Sequence, residues 1–228
     1  MNELALCAGS GGGLLASEIL GFRTLCAVEL DWYCRCVLVQ RQNDRVFRSN
    51  FPIWDDLRTF DGRPWRGIID IVTGGFPCQA FSTAAAGKNN ADDLWPEMRR
   101  IVADVAPRYV FAENVSRKAI DQAADDLESM GYKTKAIELS ASDLGADHIR
   151  NRCWLLAYAN NKSQFHSSIN AKTRWMQGMG SSIWEDYPES LRMDDGMAYR
   201  MDRLKAVGNG QVPIVAATAF ELLRTEIE

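Results

Sequence analysis

The first thirty residues constrain the fold more than any other part of the chain. ELALCA, residues 3–8, is an apolar run of strand length; GSGGG follows, and LLASEILG then carries apolar residues at helical spacing up to Gly21. Residues 24–29, TLCAVE, form a second strand-length run ending in Glu29, and residues 32–42 read as a helix. Strand, glycine turn, helix, strand, and an acid about 20 residues after the turn is the layout of a nucleotide-binding unit. The glycines let the backbone approach a ligand, and the acid accepts hydrogen bonds from ribose hydroxyls. By itself this pattern suits a dinucleotide as well as S-adenosylmethionine.

The alternation continues. Residues 68–73 read as a strand, 93–105 as a helix, 108–112 as a strand ending at Glu113, and 116–130 as a helix closed by Gly131. YKTKAIEL and CWLLAYA read as two further strands. Residues 160–200 then lose periodicity and become rich in Asn, Ser, Gln, Trp, Met and Gly. Residues 213–226 return to helix, with Pro213 in its first turn. The prediction is an α/β fold, a Rossmann-like sheet with helices on both faces, carrying a small irregular insert. Its parts are residues 1–158, an insert at 159–199, and a segment at 200–228 that completes the first part.

With 228 residues and 46% hydrophobic content the chain can bury one sizeable core. It has no apolar run of about 18 residues, so no membrane span is expected. MNELALCAGS lacks a basic region before its apolar stretch, which argues against a signal peptide and for a cytoplasmic location. Six cysteines (Cys7, Cys26, Cys34, Cys36, Cys78 and Cys153) fit neither a disulfide framework nor a zinc site, and no metal is expected. A net charge of −4 speaks mildly against nucleic acid, but net charge does not exclude a local basic surface. Arg150, Arg152, Lys162, Lys172, Arg174, Arg192, Arg200, Arg203 and Lys205 concentrate late in the chain.

Four stretches carry chemistry. GGFPCQAFS, residues 74–82, puts Cys78 at the end of the apolar run IIDIVTGG, at the carboxyl edge of a sheet, where open α/β folds bind ligands. A thiol there suits a nucleophile, although an isolated cysteine is more often structural. FAENV supplies Glu113 and Asn114; alone, Glu113 reads equally as the cap of the following helix. HIRNRCW supplies Arg150 and Arg152, an alternation that alone suits a solvated strand edge. RLKAVGNGQVP supplies Gly208, Asn209 and Gly210 ahead of a helix, where Asn between glycines is ordinarily a turn.

Taken in order with the glycine turn, these blocks resemble the carbon-5 cytosine DNA methyltransferases, over most of residues 3–157 and 200–220. The chain is most similar to the short members carried by bacteria and their viruses. The resemblance implies an S-adenosylmethionine-dependent methyltransferase sheet and methyl transfer to carbon 5 of a flipped-out cytosine in double-stranded DNA, in the setting of restriction–modification. It implies that Cys78 attacks carbon 6, that Glu113 protonates ring nitrogen 3, that Arg152 contacts the exocyclic oxygen, and that Asn114 organises the loop around Cys78. Ala8, Gly9, Gly11 and Gly12 would hold the methionine end of the cofactor, Glu29 its ribose, and Asp56 (with Asp55 the competing register) its adenine amine. Gly75 and Asn209 complete the cofactor set. Gln79, Ser82, Arg150, Lys172 and Arg174 would meet DNA, Arg150 through a phosphate.

The chain departs from the family at Cys7, where many relatives have Phe, at Leu30, where many have Trp, and at His148, in place of Gln. Its insert is far shorter than the usual target-recognition region. Trp175, Trp184, Tyr187 and Gln177 are available to touch DNA there, or else form a packing cluster. A short insert presents few base-reading side chains, which predicts a short or loose recognition site, read by a monomer or completed by a partner chain. Two alternatives stand beside the enzyme: a non-catalytic or partner-dependent DNA-binding relative, and a methyltransferase of RNA cytosine. Phe76, where the tRNA-directed branch has a second Pro, favours DNA. A dinucleotide oxidoreductase would leave Cys78, Glu113 and the Gly-Asn block unexplained.

Overall fold

The computed structural model describes residues 1–77, 93–159, 206, 208 and 210–227. Its strands are β1 (Asn2–Leu6), β2 (Arg23–Val28), β3 (Ile53–Trp54), β4 (Ile71–Gly75), β5 (Tyr109–Asn114), β6 (Tyr132–Leu139) and β7 (Arg152–Ala159). Its helices are α1 (Gly12–Ile19), α2 (Trp32–Asn43), α3 (Trp95–Val105), α4 (Arg117–Ser129) and α5 (Pro213–Ile227). The strands form one sheet in the order β3-β2-β1-β4-β5-β7-β6. β1 to β5 run parallel, while β7 pairs antiparallel with both β5 and β6.

Helices cover both faces, as the alternating pattern predicts. Side chains of α3 and α4, such as Met98, Ile101 and Ile120, pack with Leu4, Leu6, Val72 and Val110 of the sheet. Across the sheet, α5 brings Val215, Phe220 and Leu223 against Phe111, Trp154 and Leu156. Phe220 sits edge-on to Phe22 and Phe111, and Trp154 stacks on Phe111. Such aromatic pairs add about 0.5–1.5 kcal/mol each beyond area burial. α1 and α2 close the same face at the β1–β2 end through Leu14 and Leu38.

Local signals set several boundaries. Asp31 caps α2 by accepting from the Cys34 amide, and Ser116 caps α4 by accepting from the Ala119 amide. Four details depart from the sequence expectation, the first being that β4 spans Ile71–Gly75 rather than residues 68–73 and so carries the strand through both glycines. β1 stops at Leu6 because Cys7 takes a left-handed backbone, φ 51°, that cannot continue a strand. β3 is only two residues long, too short for any periodicity to announce it. β5 runs through Glu113 to Asn114, so both polar residues belong to the buried strand rather than to the turn after it.

The insert at 159–199 and its junction with 200–228 fall almost wholly outside the described residues. No described helix is long and apolar enough to cross a membrane.

Candidate active site

The carboxyl ends of β1, β2, β4 and β5 and the amino end of antiparallel β7 meet at one edge of the sheet. Every described candidate residue lies on or near this edge.

At the β1 end, Ala8 donates its amide to the Val28 carbonyl, and Gly11 donates to the Ala8 carbonyl, closing the turn. Gly11 stands at the head of α1 with φ 94°, and no side chain caps this terminus. A left-handed backbone of this kind is costly for any residue with a Cβ. Glu29 is buried at the end of β2 and holds the turn from the other side. Its two carboxylate oxygens accept from the Gly9 amide at 2.6 Å and the Asp31 amide at 2.8 Å. Burial raises its pKa, and these two amides pull it back.

Asp56 is half-buried beyond β3 and accepts from the Arg58 amide at 2.9 Å, whereas Asp55 is exposed. Leu30 is 52% exposed and Trp32, at the start of α2, is 72% exposed.

At the β5 end, Glu113 and Arg152 form an ion pair, with Nε to Oε1 2.8 Å and side chains only 8% and 15% exposed. The strand register pairs Glu113 with Trp154, so Arg152 is the diagonal neighbour on the same face of the sheet. Burial raises the Glu113 pKa; Arg152, a hydrogen bond from Gln211, and the charge of Arg150 lower it in that order. Gly75 lies beside Glu113 on β4. A Cβ at residue 75 would come within 2.8 Å of Glu113 Oε2, so only glycine leaves the carboxyl its place.

Asn114 is buried and works in two directions. Its Nδ2 donates to the Phe76 carbonyl at 2.8 Å, and its Oδ1 accepts from the Ser116 amide at 2.9 Å. The amide thus holds the backbone two residues before Cys78 to the end of β5. Cys78 itself, with Gln79, Ser82, Lys172, Arg174 and Asn209, lies outside the described residues, as do Trp175, Gln177, Trp184 and Tyr187. Burial pushes the Cys7 thiol up to about 12 and those of Cys26 and Cys153 to about 11. Thiols of this kind are poor sources of thiolate at neutral pH. No cluster of three or more metal-ligating side chains occurs among the described residues.

Arg150 donates from Nη2 to the carbonyls of Gly208 and Gly210. It therefore clips the segment before α5 to the start of β7, and a phosphate at this guanidinium would compete with those two carbonyls. The segment so held brings in Gln211, which the sequence reading passed over. A cavity of about 50 Å³ lies under the glycine turn, lined by Cys7, Ala8 and Gly9 at one end and by Gly75, Glu113 and Gln211 at the other.

Glu3 is a second residue that the sequence reading passed over. It is fully buried in β1, and it accepts from the hydroxyls of Ser17, Thr24 and Thr73 at 2.6 to 2.7 Å. Its one visible signal is a charge inside an otherwise apolar strand.

Comparison with known proteins identifies the family. The sequence profile of the C-5 cytosine-specific DNA methylases matches residues 1–205. Type II methyltransferase M.NgoMIV of Neisseria gonorrhoeae is 30% identical over 178 residues, covering 72% of this chain and 54% of that protein. Type II methyltransferase M1.HphI of Haemophilus parahaemolyticus is 34% identical over 174 residues, covering 67% of this chain and 44% of that protein. The chain thus spans about half the length of these relatives. The crystal structure of S. pombe Dnmt2 methyltransferase superposes with a TM-score of 0.57 over 72% of this chain and 53% of that one; at 20% identity this speaks to the fold alone.

Proposed function

The chain belongs to the C-5 cytosine-specific DNA methylase family, and on that premise we propose that it transfers a methyl group from S-adenosylmethionine to carbon 5 of cytosine in DNA. The observation that carries the reading is spatial. The glycine turn with Glu29 and the buried Glu113–Arg152 pair sit at one sheet edge, and Asn114 ties that edge to the backbone leading into Cys78.

The residues at the β1 end fit the cofactor. The uncapped amides at the head of α1 suit its carboxylate, and the Glu29 carboxylate suits its ribose hydroxyls. Ala8, Gly9, Gly11 and Gly12 form the turn, Gly75 and Asn209 complete the set, and Asp56 takes the adenine amine. When bound, S-adenosylmethionine supplies an electrophilic methyl group.

The chain's own residues make carbon 5 reactive. The Cys78 thiolate adds to carbon 6 of the extruded base, and the ring's electron pair moves toward nitrogen 3, where Glu113 delivers a proton. Carbon 5 then has enamine character. After methylation, water takes the carbon-5 proton, the electron pair so released re-forms the bond between carbons 5 and 6 as the Cys78 sulfur leaves as thiolate, and nitrogen 3 returns its proton to the Glu113 carboxylate. Glu113 must hold a proton near neutral pH for this task, and its burial favours the protonated form. Arg152, paired with Glu113, would contact the exocyclic oxygen and carry part of the developing negative charge. Gln79, Ser82, Lys172 and Arg174 would meet the DNA strand, with Arg150 at the margin.

Base-resolution mapping of cytosine methylation tests the reading, on plasmid DNA from cells expressing the chain beside its Cys78→Ala variant. Carbon-5 methylation with the parent alone is expected, at a short or loosely defined site. Residual methylation near the parent level in the variant removes Cys78 as nucleophile. A defined site of six or more base pairs contradicts the short-site expectation.

A further inference from the structure

Gln211 is the residue on which three glycines converge. A Cβ at Gly12 would come within 2.2 Å of the Gln211 carbonyl oxygen, and one at Gly13 within 2.7 Å of its side-chain Oε1. A Cβ at Gly75 would come within 3.0 Å of its Nε2. Two of these glycines begin α1 and the third ends β4, so the Gln211 amide is wedged between the glycine turn and the sheet. From that wedge Nε2 donates to Glu113 Oε2 at 3.3 Å. Arg150 secures the segment from below through Gly208 and Gly210.

The geometry points to Gln211 as a positioning residue that fixes the carboxyl of Glu113 from the glycine-turn side, opposite the grip of Arg152. The inference rests on the reading of Glu113 as the proton donor to the base. Arg152 engages Oε1 and Gln211 engages Oε2, so the two partners divide the carboxyl and set its plane. Among the described residues, the charged groups facing Glu113 are Arg152 and Arg150, both from the start of β7 and the loop before it. β4 contributes only Gly75 at this point. Gln211 is the neutral donor in the group, and an amide N–H given to a carboxylate favours its charged form. Losing that donor therefore moves Glu113 toward the protonated state while freeing one of its oxygens.

The test uses Gln211→Met, which keeps length and removes the donor, and Gln211→Glu, which sets a second carboxylate beside Glu113. Methylation rate at saturating substrates is followed against pH, with S-adenosylmethionine binding and thermal melting measured in parallel. Gln211→Met is expected to lower kcat about tenfold and to move the alkaline limb of its pH profile up by about one unit, with cofactor affinity near the parent's. Gln211→Glu is expected to move that limb further, because like charges resist ionising together. If either variant folds and keeps the parent's pH profile and kcat, losing only melting temperature, Gln211 is packing and the inference fails. Glu113→Gln is run beside them. If it methylates at the parent rate, the assignment of Glu113 as acid fails first. If it is inactive while the Gln211 variants keep the parent profile, only the Gln211 assignment falls.

Discussion

Arg152 and Glu113 meet at 2.8 Å although 39 residues apart in sequence, because β7 lies antiparallel against β5 and offers its second-nearest residue on the shared face. A lone buried carboxylate would be driven to protonate, and a lone buried guanidinium would lack a counter-charge. Together they hold a charge pair at the sheet edge where the base is proposed to enter.

Breaking that pair should be costly. Arg152→Met is expected to destabilise the protein by about 3–5 kcal/mol, since it strands a buried carboxyl. Adding Glu113→Gln should recover part of the loss. Chemical denaturation of the two single variants and the double variant measures the coupling, and additive effects would mean that the two side chains do not depend on each other.

Gly12→Ala should damage the site through packing alone. The new methyl meets the Gln211 carbonyl, a backbone atom held by its neighbours, and one of the two segments must move. Overpacking of this kind costs about 1–3 kcal/mol. A lower melting temperature and weaker S-adenosylmethionine binding are expected, and a variant equal to the parent in both would show that the 210–212 segment does not press on the turn.

Glu29→Ala removes the acceptor for both the Gly9 and Asp31 amides. Hydrogen bonds to a charged group are worth about 1.5–3 kcal/mol each, so cofactor affinity should fall by about tenfold or more. Equilibrium binding of S-adenosylmethionine checks this, and an unchanged dissociation constant would take Glu29 out of the ribose site.

Glu3 predicts a pH dependence of stability. Burial raises its folded pKa above the ordinary carboxyl value, with the Ser17, Thr24 and Thr73 hydroxyls opposing. The folded state then binds more protons than the unfolded chain over the interval between the two values. Stability associated with Glu3 is full below the unfolded value and is lost as pH rises through the folded one. Relative to Glu3→Gln, the parent should therefore be most favoured at low pH and lose that advantage as pH rises. Melting curves of both across pH decide it, and a pH-independent difference would show that folding leaves the Glu3 pKa unshifted.

Much of this molecule was legible in its sequence, for local reasons. Periodicity placed the strand at 132–139 and the helices near 93–105, 116–130 and 213–226, because burial on one face imposes the spacing of apolar residues. The glycine turn with Glu29 announced itself because a left-handed backbone at Gly11 and a buried acid after a strand each require particular residue types. Tertiary structure alone decided the rest. The insertion of β7 between β5 and β6 puts Arg152 against Glu113, and no local pattern encodes which strand pairs with which. Arg150 reads in sequence as a phosphate contact or a solvated strand edge, yet in the fold it grips the Gly208 and Gly210 carbonyls. Gln211 gave no signal of its own, since its role comes from contacts with Gly12, Gly13, Gly75 and Glu113, far from it along the chain. Residue chemistry and local periodicity are written along the sequence; which side chains share a carboxylate depends on strand order and on how α5 returns to the sheet.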